Sequence, residues 1–396
     1  MANVYTATPF SPGEARALTT PDPQPAYVEM ASQCPVHRGP DGTLTLMRMQ
    51  DIVAVNKRHD VLGPGAHGPT MGGERPLVPL DLDGPEHLKF RRLLDPLFSA
   101  RNVAHLEPQV RKLADELIDG FIDQKEADLQ DSFCQPLPSI FFLRLMGLPP
   151  GDLDYFLSFK NAILGRLPPG LSLAGRMSAI RDASARCYRY LGDILDAREA
   201  TGIPGDDLIG WLVTAEVETE RLTREQILDV CYLVMLGGLD TVGSALTCMI
   251  ARLARDPVLR RRLVAAPELW GSAVEELLRF ESPIQHGYRT PTVDLRIGGE
   301  VISAGTTFFV SWASANLDPE TFADPLKIDV ERPQNQHLAF GSGFHRCLGI
   351  HLARMELRAA LEQLHRRIPD YAIKDGHELA FPGKPRMANS LPIVWR

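Results

Sequence analysis

The sequence lacks the cysteine pattern of a secreted domain stabilised by disulfides. No two cysteines form a Cys-x-x-Cys pair, and no dense cluster occurs. The six cysteines stand at positions 34, 134, 187, 231, 248 and 347. Because a disulfide framework needs closely and regularly spaced cysteines, we expect a protein of a reducing cytoplasm.

The chain also lacks a long apolar start, an excess of positive charge and internal linkers. Residues 1–20 contain no apolar core long enough for a signal peptide or a membrane anchor. A net charge of −8 argues against nucleic-acid binding as the main activity. A length of 396 residues alone suggests two or three domains. Because we find no linker, repeat or low-complexity tract, we instead predict one domain over residues 1–396.

Strand signals are few, so we predict a mainly α protein with a small β region. Gly39-Pro40-Asp41-Gly42 predicts a turn that enters a short alternating strand at residues 43–47. Glycine and proline crowd residues 60–85, which predicts a surface loop. We assign a mixed, β-containing region to about residues 25–85.

Helical periodicity dominates the next part of the chain, from residue 86 to about residue 199. Pro-Pro-Gly segments interrupt it at residues 148–151 and 167–170. We place a helical core at about residues 86–280. A glycine-rich loop and one further helix are predicted at residues 337–366.

The longest apolar helix candidate runs from about Arg224 to Arg255. It is long enough to cross a bilayer, but the central Asp240 makes lipid exposure costly, so we predict a buried core helix. Gly237 and Gly238 each weaken a helix by about 1 kcal/mol relative to alanine, but they leave space for close packing and permit a bend. The pair Asp240 and Thr241 could transfer protons, or it could simply interrupt the helix.

A glycine-rich turn surrounds Cys347 in the segment HLAFGSGFHRCLG, residues 337–349. Gly341 and Gly343 permit a positive φ and a close approach to a flat ligand. Helical spacing over residues 348–357 places the sulfur near a helix N-terminus, which favours a thiolate. The thiolate could bind iron, or the cysteine could be a small buried apolar residue.

The order Phe340-Gly341-x-Gly343-x-His345-x-Cys347-x-Gly349 resembles the haem-binding signature of bacterial cytochromes P450. The resemblance implies haem b as cofactor and Cys347 as the axial ligand of its iron. It also implies that Phe340 packs beside the sulfur and that His345 contacts a haem propionate. Thiolate ligation favours O–O cleavage.

The distal-helix motif of the same family is Ala/Gly-Gly-x-Asp/Glu-Thr, and residues 237–241 resemble it in the form found in the camphor hydroxylase group. The resemblance implies that Asp240 and Thr241 are catalytic, because they organise water and deliver protons during dioxygen activation. Proton transfer by positioned side chains is general acid–base catalysis.

Other basic residues match the family by position. His87 and Arg91 lie four positions apart, and Arg289 follows Tyr288; the resemblance assigns all three to the haem propionates. His337, although near the cysteine, is predicted to be structural.

The pair Glu276 and Arg279 alone would indicate a solvated surface bridge worth a few tenths of a kcal/mol. In the family pattern this pair instead belongs to a buried structural network. We expect Arg332 to complete that network.

The resemblance implies the cytochrome P450 fold, a roughly triangular helical prism that encloses haem. The loop at residues 60–85 and the break at residues 167–170 would help to form a lid over the substrate. The implied enzyme is a monooxygenase that inserts one atom of O₂ into a small or medium hydrophobic molecule. Because the chain has no fused flavin or iron–sulfur region, electrons from NAD(P)H would come through a separate ferredoxin and ferredoxin reductase. We expect a bacterial, cytoplasmic monomer.

A substrate of terpenoid, steroid or branched-lipid type fits the apolar residues expected near the iron. These residues could equally be ordinary core. They are Leu233, Leu236, Gly237, Ile284 and Gln285. Arg346 could dock an acidic electron carrier, or it could be a solvated charge.

Three alternative activities stay open from the sequence. A peroxide-driven peroxygenase would need no electron carrier, although the Asp240 and Thr241 pair favours dioxygen activation. A haem-dependent isomerase or dehydratase would also dispense with NAD(P)H. A non-catalytic haem-binding sensor would need Cys347 but no acid–alcohol pair.

Overall fold

The computed structural model describes residues 18–67, 74–168, 170–217, 220–382 and 384–396. Its helices are α1 (Gln24–Gln33), α2 (Met49–Asn56), α3 (Gly84–Leu94), α4 (Ala100–Val103), α5 (Glu107–Asp119), α6 (Pro136–Met146), α7 (Leu153–Ile163), α8 (Leu173–Thr201), α9 (Leu208–Thr214), α10 (Arg224–Gly238), α11 (Thr241–Arg255), α12 (Pro257–Ala265), α13 (Trp270–Glu281), α14 (Trp312–Ala315) and α15 (Ile350–Arg367). Its strands are β1 (Val36–Arg38), β2 (Leu44–Leu46), β3 (Val61–Leu62), β4 (Glu126–Asp128), β5 (Glu216–Val217), β6 (Glu220–Arg221), β7 (His286–Pro291), β8 (Leu295–Ile297), β9 (Glu300–Ile302), β10 (Phe308–Ser311), β11 (Tyr371–Ile373) and β12 (Pro392–Trp395). The prediction of a mainly α protein with a small β region is confirmed.

Packing divides the described chain into two compact units. The smaller unit contains residues 62–97 and 139–240, and the larger unit contains residues 18–61, 98–138 and 241–396. The single domain over residues 1–396 stays a prediction.

In the smaller unit, α8 packs against α7 and α10. The side chain of Ser172 caps the start of α8 by accepting from the Gly175 amide, and Gly202 ends the helix with φ +65°. One buried stripe recurs every three or four residues, which is the helical period. Its members are Ile180, Ala183, Ser184, Cys187, Leu191 and Leu195.

In the larger unit, α15 packs against α5, α11 and α13. In helix α11, every residue from 242 to 251 is buried. A helical segment that is buried on all faces lies in the core of a large protein. The helix that follows Cys347 is therefore anchored directly to the core of this unit.

The main sheet has the strand order β1-β2-β10-β7-β3. Strand β2 lies within the strand predicted at residues 43–47, so that prediction is confirmed. Besides the two predicted breaks, strand β4 also interrupts the mainly helical region predicted over residues 86–199, and it pairs antiparallel with β12. Local periodicity could not reveal this strand, since its partner lies more than 260 residues away in sequence.

The segment Arg224–Arg255 is long and apolar enough to cross a membrane, but 72% of its most apolar 18-residue window is buried. The prediction of a buried core segment is therefore confirmed, but two helices occupy it where one was predicted. Helix α10 ends at Gly238, and α11 starts at Thr241. A β-carbon at Gly238 would lie 2.2 Å from the Phe142 ring, so glycine permits this close packing. Asp240 consequently lies in a short turn between two helices.

The predicted loop at residues 60–85 contains β3, a 3₁₀ turn at Pro64–His67 and the first residues of α3. Positions 68–73 lie outside the described residues. The predicted breaks at residues 148–151 and 167–170 both fall between helices, with Pro169 outside the described residues.

Candidate functional site

The Cys347 loop has the backbone conformation that its glycines predict. Gly341 has φ +68° and Gly343 has φ +71°. The Cys347 amide donates a hydrogen bond to the Phe340 carbonyl at 2.9 Å. Helix α15 begins at Ile350, so the sulfur lies just before a helix N-terminus. There the dipole favours an anionic thiolate.

Cys347 differs from most other cysteines because its side chain is exposed. Burial raises the pKa of Cys231 and Cys248 to about 12, which makes their thiols inert. Cys34 is the other exposed cysteine, but it lies outside any glycine loop. An accessible sulfur in a glycine-rich turn fits an iron ligand, so the residues of this loop are compatible with haem.

Arg289 and His345 belong to the same unit as Cys347. Arg289 is buried, and its Nε donates to Asn56 Oδ1 at 2.9 Å. A second hydrogen bond joins its Nη1 to the Tyr288 carbonyl at 2.7 Å. His345 is half-buried at the end of the 3₁₀ turn Gly343–His345. Their roles toward a propionate stay predictions.

His87 and Arg91 lie on α3 in the smaller unit, on one face as their spacing predicts. His87 is buried. Arg91 forms an ion pair at 2.8 Å with Asp95, the residue that follows the last residue of α3. This carboxylate partner was not predicted.

Asp240 is buried and has two cationic partners, neither of which was predicted. Arg166 donates to both carboxylate oxygens, at 2.8 and 2.9 Å. Lys160 Nζ lies 3.0 Å from Oδ1 and is itself buried. Burial lowers the pKa of Lys160, although the charge of Asp240 opposes this shift. Thr241 is half-buried as the first residue of α11.

A sequence signal for Lys160 did exist. It is a cation on α7 within LDYFLSFKNAI, where its neighbours are mostly apolar, and such a lysine needs a buried partner. Arg166 has no such signal, because it follows the helix in coil.

The network predicted around Glu276 and Arg279 is confirmed, and both residues are fully buried. Arg279 donates to the two carboxylate oxygens of Glu276, each at 2.8 Å. Arg332 completes the network with contacts of 3.2 Å to both oxygens. Arg279 also donates to three backbone carbonyls, those of Asn316, Pro325 and Lys327. These contacts fix the backbone, which is a structural role.

A second carboxylate, Glu275, joins α13 to the cysteine loop. His337 Nε2 lies 3.3 Å from it, which confirms a structural contact for His337. Arg354 donates to Glu275 at 2.8 Å and lies 5.1 Å from the centre of the Phe340 ring. Burial alone would raise the pKa of Glu275, but hydrogen bonds from His337 and Arg354 lower it to about 2.

The residues predicted to contact substrate lie in both units. On α10, Leu236 is buried, Leu233 is half-buried and Gly237 is exposed. In the larger unit, Ile284 packs against an apolar cluster that contains Trp312, as an ordinary core residue would. Gln285 Nε2 is buried and has no hydrogen-bond partner among the described residues. Their contact with substrate stays a prediction.

Known proteins resemble this chain over most of its length. A cytochrome P450 family model matches residues 268–367. The chain is 34% identical to the mycinamicin IV hydroxylase/epoxidase of Micromonospora griseorubida, with 88% of each chain covered. It is 31% identical to the steroid C26-monooxygenase of Mycolicibacterium smegmatis, with 93% of this chain and 92% of the relative covered. The crystal structure of CalO2 is similar at 27% identity and a TM-score of 0.87, with 98% of both chains covered.

Proposed function

This chain belongs to the cytochrome P450 family and is a monooxygenase of that family, and from this premise we propose a more specific activity. It inserts one atom of O₂ into a hydrophobic molecule of terpenoid, steroid or branched-lipid type. The name of the steroid C26-monooxygenase relative supports the steroid option. A separate ferredoxin and its reductase supply the electrons from NAD(P)H, in a cytoplasmic monomer.

The observation that carries this proposal is the exposed Cys347 thiol in its glycine loop. Cys347 would provide a thiolate ligand to the iron of haem b. Bound haem supplies the redox chemistry of dioxygen activation, which thiolate donation promotes. The backbone hydrogen bond from Cys347 to Phe340 keeps the sulfur in place.

Basic side chains neutralise the two haem propionates in this proposal. Arg289 offers a buried guanidinium, and His345 offers an imidazole from the cysteine loop. His87 and Arg91 do the same from α3. Charge-assisted hydrogen bonds of this kind are stronger than neutral ones.

Asp240 and Thr241 move protons to the reacting oxygen. The ion pairs with Lys160 and Arg166 hold the Asp240 carboxylate at the helix break. The Thr241 hydroxyl stands at the start of the next helix. Positioned proton donors of this type contribute about 10²- to 10⁴-fold to rates. Arg346, which is exposed beside Cys347, contacts the acidic electron carrier.

The ligand assignment is tested by reducing haem-loaded protein under carbon monoxide. The native chain gives the strongly red-shifted Soret band of a thiolate complex, and Cys347→Ala abolishes that band. Cys34→Ala, which removes the other exposed thiol, keeps it. Retention of the band in Cys347→Ala would disprove the assignment.

The activity is tested with a ferredoxin system, NADH and a panel of terpenes, steroids and fatty acids. Oxygenated product must appear together with NADH loss. If hydrogen peroxide alone drives the reaction as fast, the protein is a peroxygenase. If no carrier supports product from any substrate, the monooxygenase proposal fails.

Proton delivery is tested by Thr241→Ala, which keeps haem binding but diverts reducing equivalents into peroxide. Thr247→Ala serves as the matched control on α11. The Thr247 hydroxyl is buried and donates to the Gly243 carbonyl of its own helix at 2.9 Å, so its removal should leave the coupling of NADH to product unchanged. Unchanged coupling of NADH to product in Thr241→Ala would show that another group delivers the protons.

A further inference from the structure

Asn56 is a buried amide at the last residue of α2, only 5% exposed. Its Oδ1 accepts from Arg289 Nε at 2.9 Å. Its Nδ2 donates to Ser342 Oγ at 2.9 Å. One side chain therefore joins strand β7 to the loop that carries Cys347.

The orientation of this amide is determined by its partners. An arginine nitrogen can only donate, so the oxygen of Asn56 must face Arg289 and the NH₂ must face Ser342. The backbone makes a third contact. A β-carbon at Gly343 would lie 1.9 Å from the Asn56 carbonyl oxygen, so the loop backbone rests directly on the end of α2.

The indole ring of Trp312 is a second neighbour of the Arg289 side chain. The guanidinium carbon lies 5.8 Å from the centre of the indole ring, and Trp312 is buried. The same ring lies 3.8 Å from where a β-carbon of Gly341 would stand. Arg289 and the cysteine loop thus share two neighbours, Asn56 and Trp312, all within the larger unit.

We propose that Asn56 is a positioning residue that couples the Arg289 guanidinium to the cysteine loop. The inference rests on the proposed function, in which Arg289 binds a propionate and Cys347 binds the iron. If those two groups hold different parts of one rigid ligand, a side chain that fixes their separation affects how tightly the ligand is retained. It would also hold the positive charge of Arg289 in place relative to the iron, and a charge near the iron shifts its reduction potential.

Haem transfer to apomyoglobin and the reduction potential of the haem-loaded protein test this role. Asn56→Leu has a similar volume but neither hydrogen bond, so we expect transfer to accelerate at least tenfold. Asn56→Asp can accept from Arg289 Nε and from the Ser342 hydroxyl. We expect it to restore slow transfer but to lower the potential, because the added negative charge stabilises ferric iron. Ser342→Ala removes only the hydrogen bond between Asn56 and the cysteine loop, so it should give an intermediate transfer rate. This variant tests the inference even if Asn56→Leu does not fold.

The matched control is Gln363→Leu, which removes another buried amide of the larger unit. Gln363 is 6% exposed and donates to Asp115 Oδ2 at 2.9 Å on the far part of α15. It should lose stability while transfer rate and potential stay native. The inference is wrong if Gln363→Leu shows the same changes as Asn56→Leu, or if Asn56→Leu and Ser342→Ala transfer haem at the native rate. A native protein without the thiolate Soret band would instead overturn the proposed function together with this inference.

Discussion

Glu276 and Asp240 are both buried carboxylates with two cationic partners, yet their surroundings differ. Glu276 lies inside the continuous helix α13 and is held by Arg279 and Arg332. Asp240 lies at a break between two helices. Its partners are a buried lysine and Arg166, which is 25% exposed.

The cationic partners determine which of the two clusters can change its protonation state. An arginine does not release its proton in a protein, so the Glu276 cluster is a permanent set of charges. A buried lysine can become neutral, and burial already lowers the pKa of Lys160. The Asp240 cluster is therefore suited to chemistry in which protons move, whereas the Glu276 cluster is suited to holding backbone.

Glu276→Gln should have the largest effect on stability. It leaves the buried Arg279 without a counter-charge, and breaking a buried pair costs about 3–5 kcal/mol. Urea denaturation should show this loss in the free energy of unfolding, and gel filtration should show loss of haem. Glu331→Gln is the control, since its ion pair with Arg262 is exposed and its loss should change little. A stable Glu276→Gln protein would contradict a scaffold role.

A third carboxylate, the half-buried Glu275, should make the stability of the fold depend on pH. Its carboxyl has a pKa of about 2 in the folded protein against an ordinary value of 4.5, so it stabilises the fold above pH 4.5. This contribution, about 3 kcal/mol from the size of the shift, is lost as the pH falls from 4.5 through 2. Glu275→Gln should show a shallower loss of unfolding free energy over that range. Arg354→Met should be intermediate, and equal slopes in all three proteins would refute the explanation.

Asp240→Asn should affect turnover more than folding. We expect product formation to fall about 100-fold, because a positioned proton-transfer group is lost. The unfolding free energy should fall by less than in Glu276→Gln, since Lys160 can release its proton. Turnover and urea denaturation of the two variants, measured side by side, check this contrast. Equal losses of stability would show that the lysine stays charged.

Arg166→Leu should have the smallest effect on stability, about 1 kcal/mol or less, because solvent reaches part of its side chain. Turnover should fall several-fold, since the Asp240 carboxylate loses its bidentate partner. Arg166→Lys keeps the charge without the two parallel hydrogen bonds and should lie between native and Arg166→Leu. If Arg166→Lys and Arg166→Leu behave alike, the bidentate geometry is what matters.

The sequence predicts local features well, because turns and helices have short-range patterns. The positive φ angles at Gly341 and Gly343 and the buried helix near Asp240 are examples. The family pattern also predicted one contact between residues distant in sequence, that of Arg332 with Glu276. Other contacts between residues far apart in sequence could not be predicted. Asn56 lies 233 residues from Arg289, and no periodicity or spacing connects the two.

The position of Cys347 just before α15 has a consequence for distant substitutions. Helix α15 packs against α5, α11 and α13, so the backbone that carries the cysteine depends on side chains that lie far from it in sequence. Protein interiors are densely packed and transmit strain. A change of side-chain volume in the buried part of α11 should therefore reach the cysteine loop through one rigid helix. A search for variants with altered activity should include that helix as well as the loop itself.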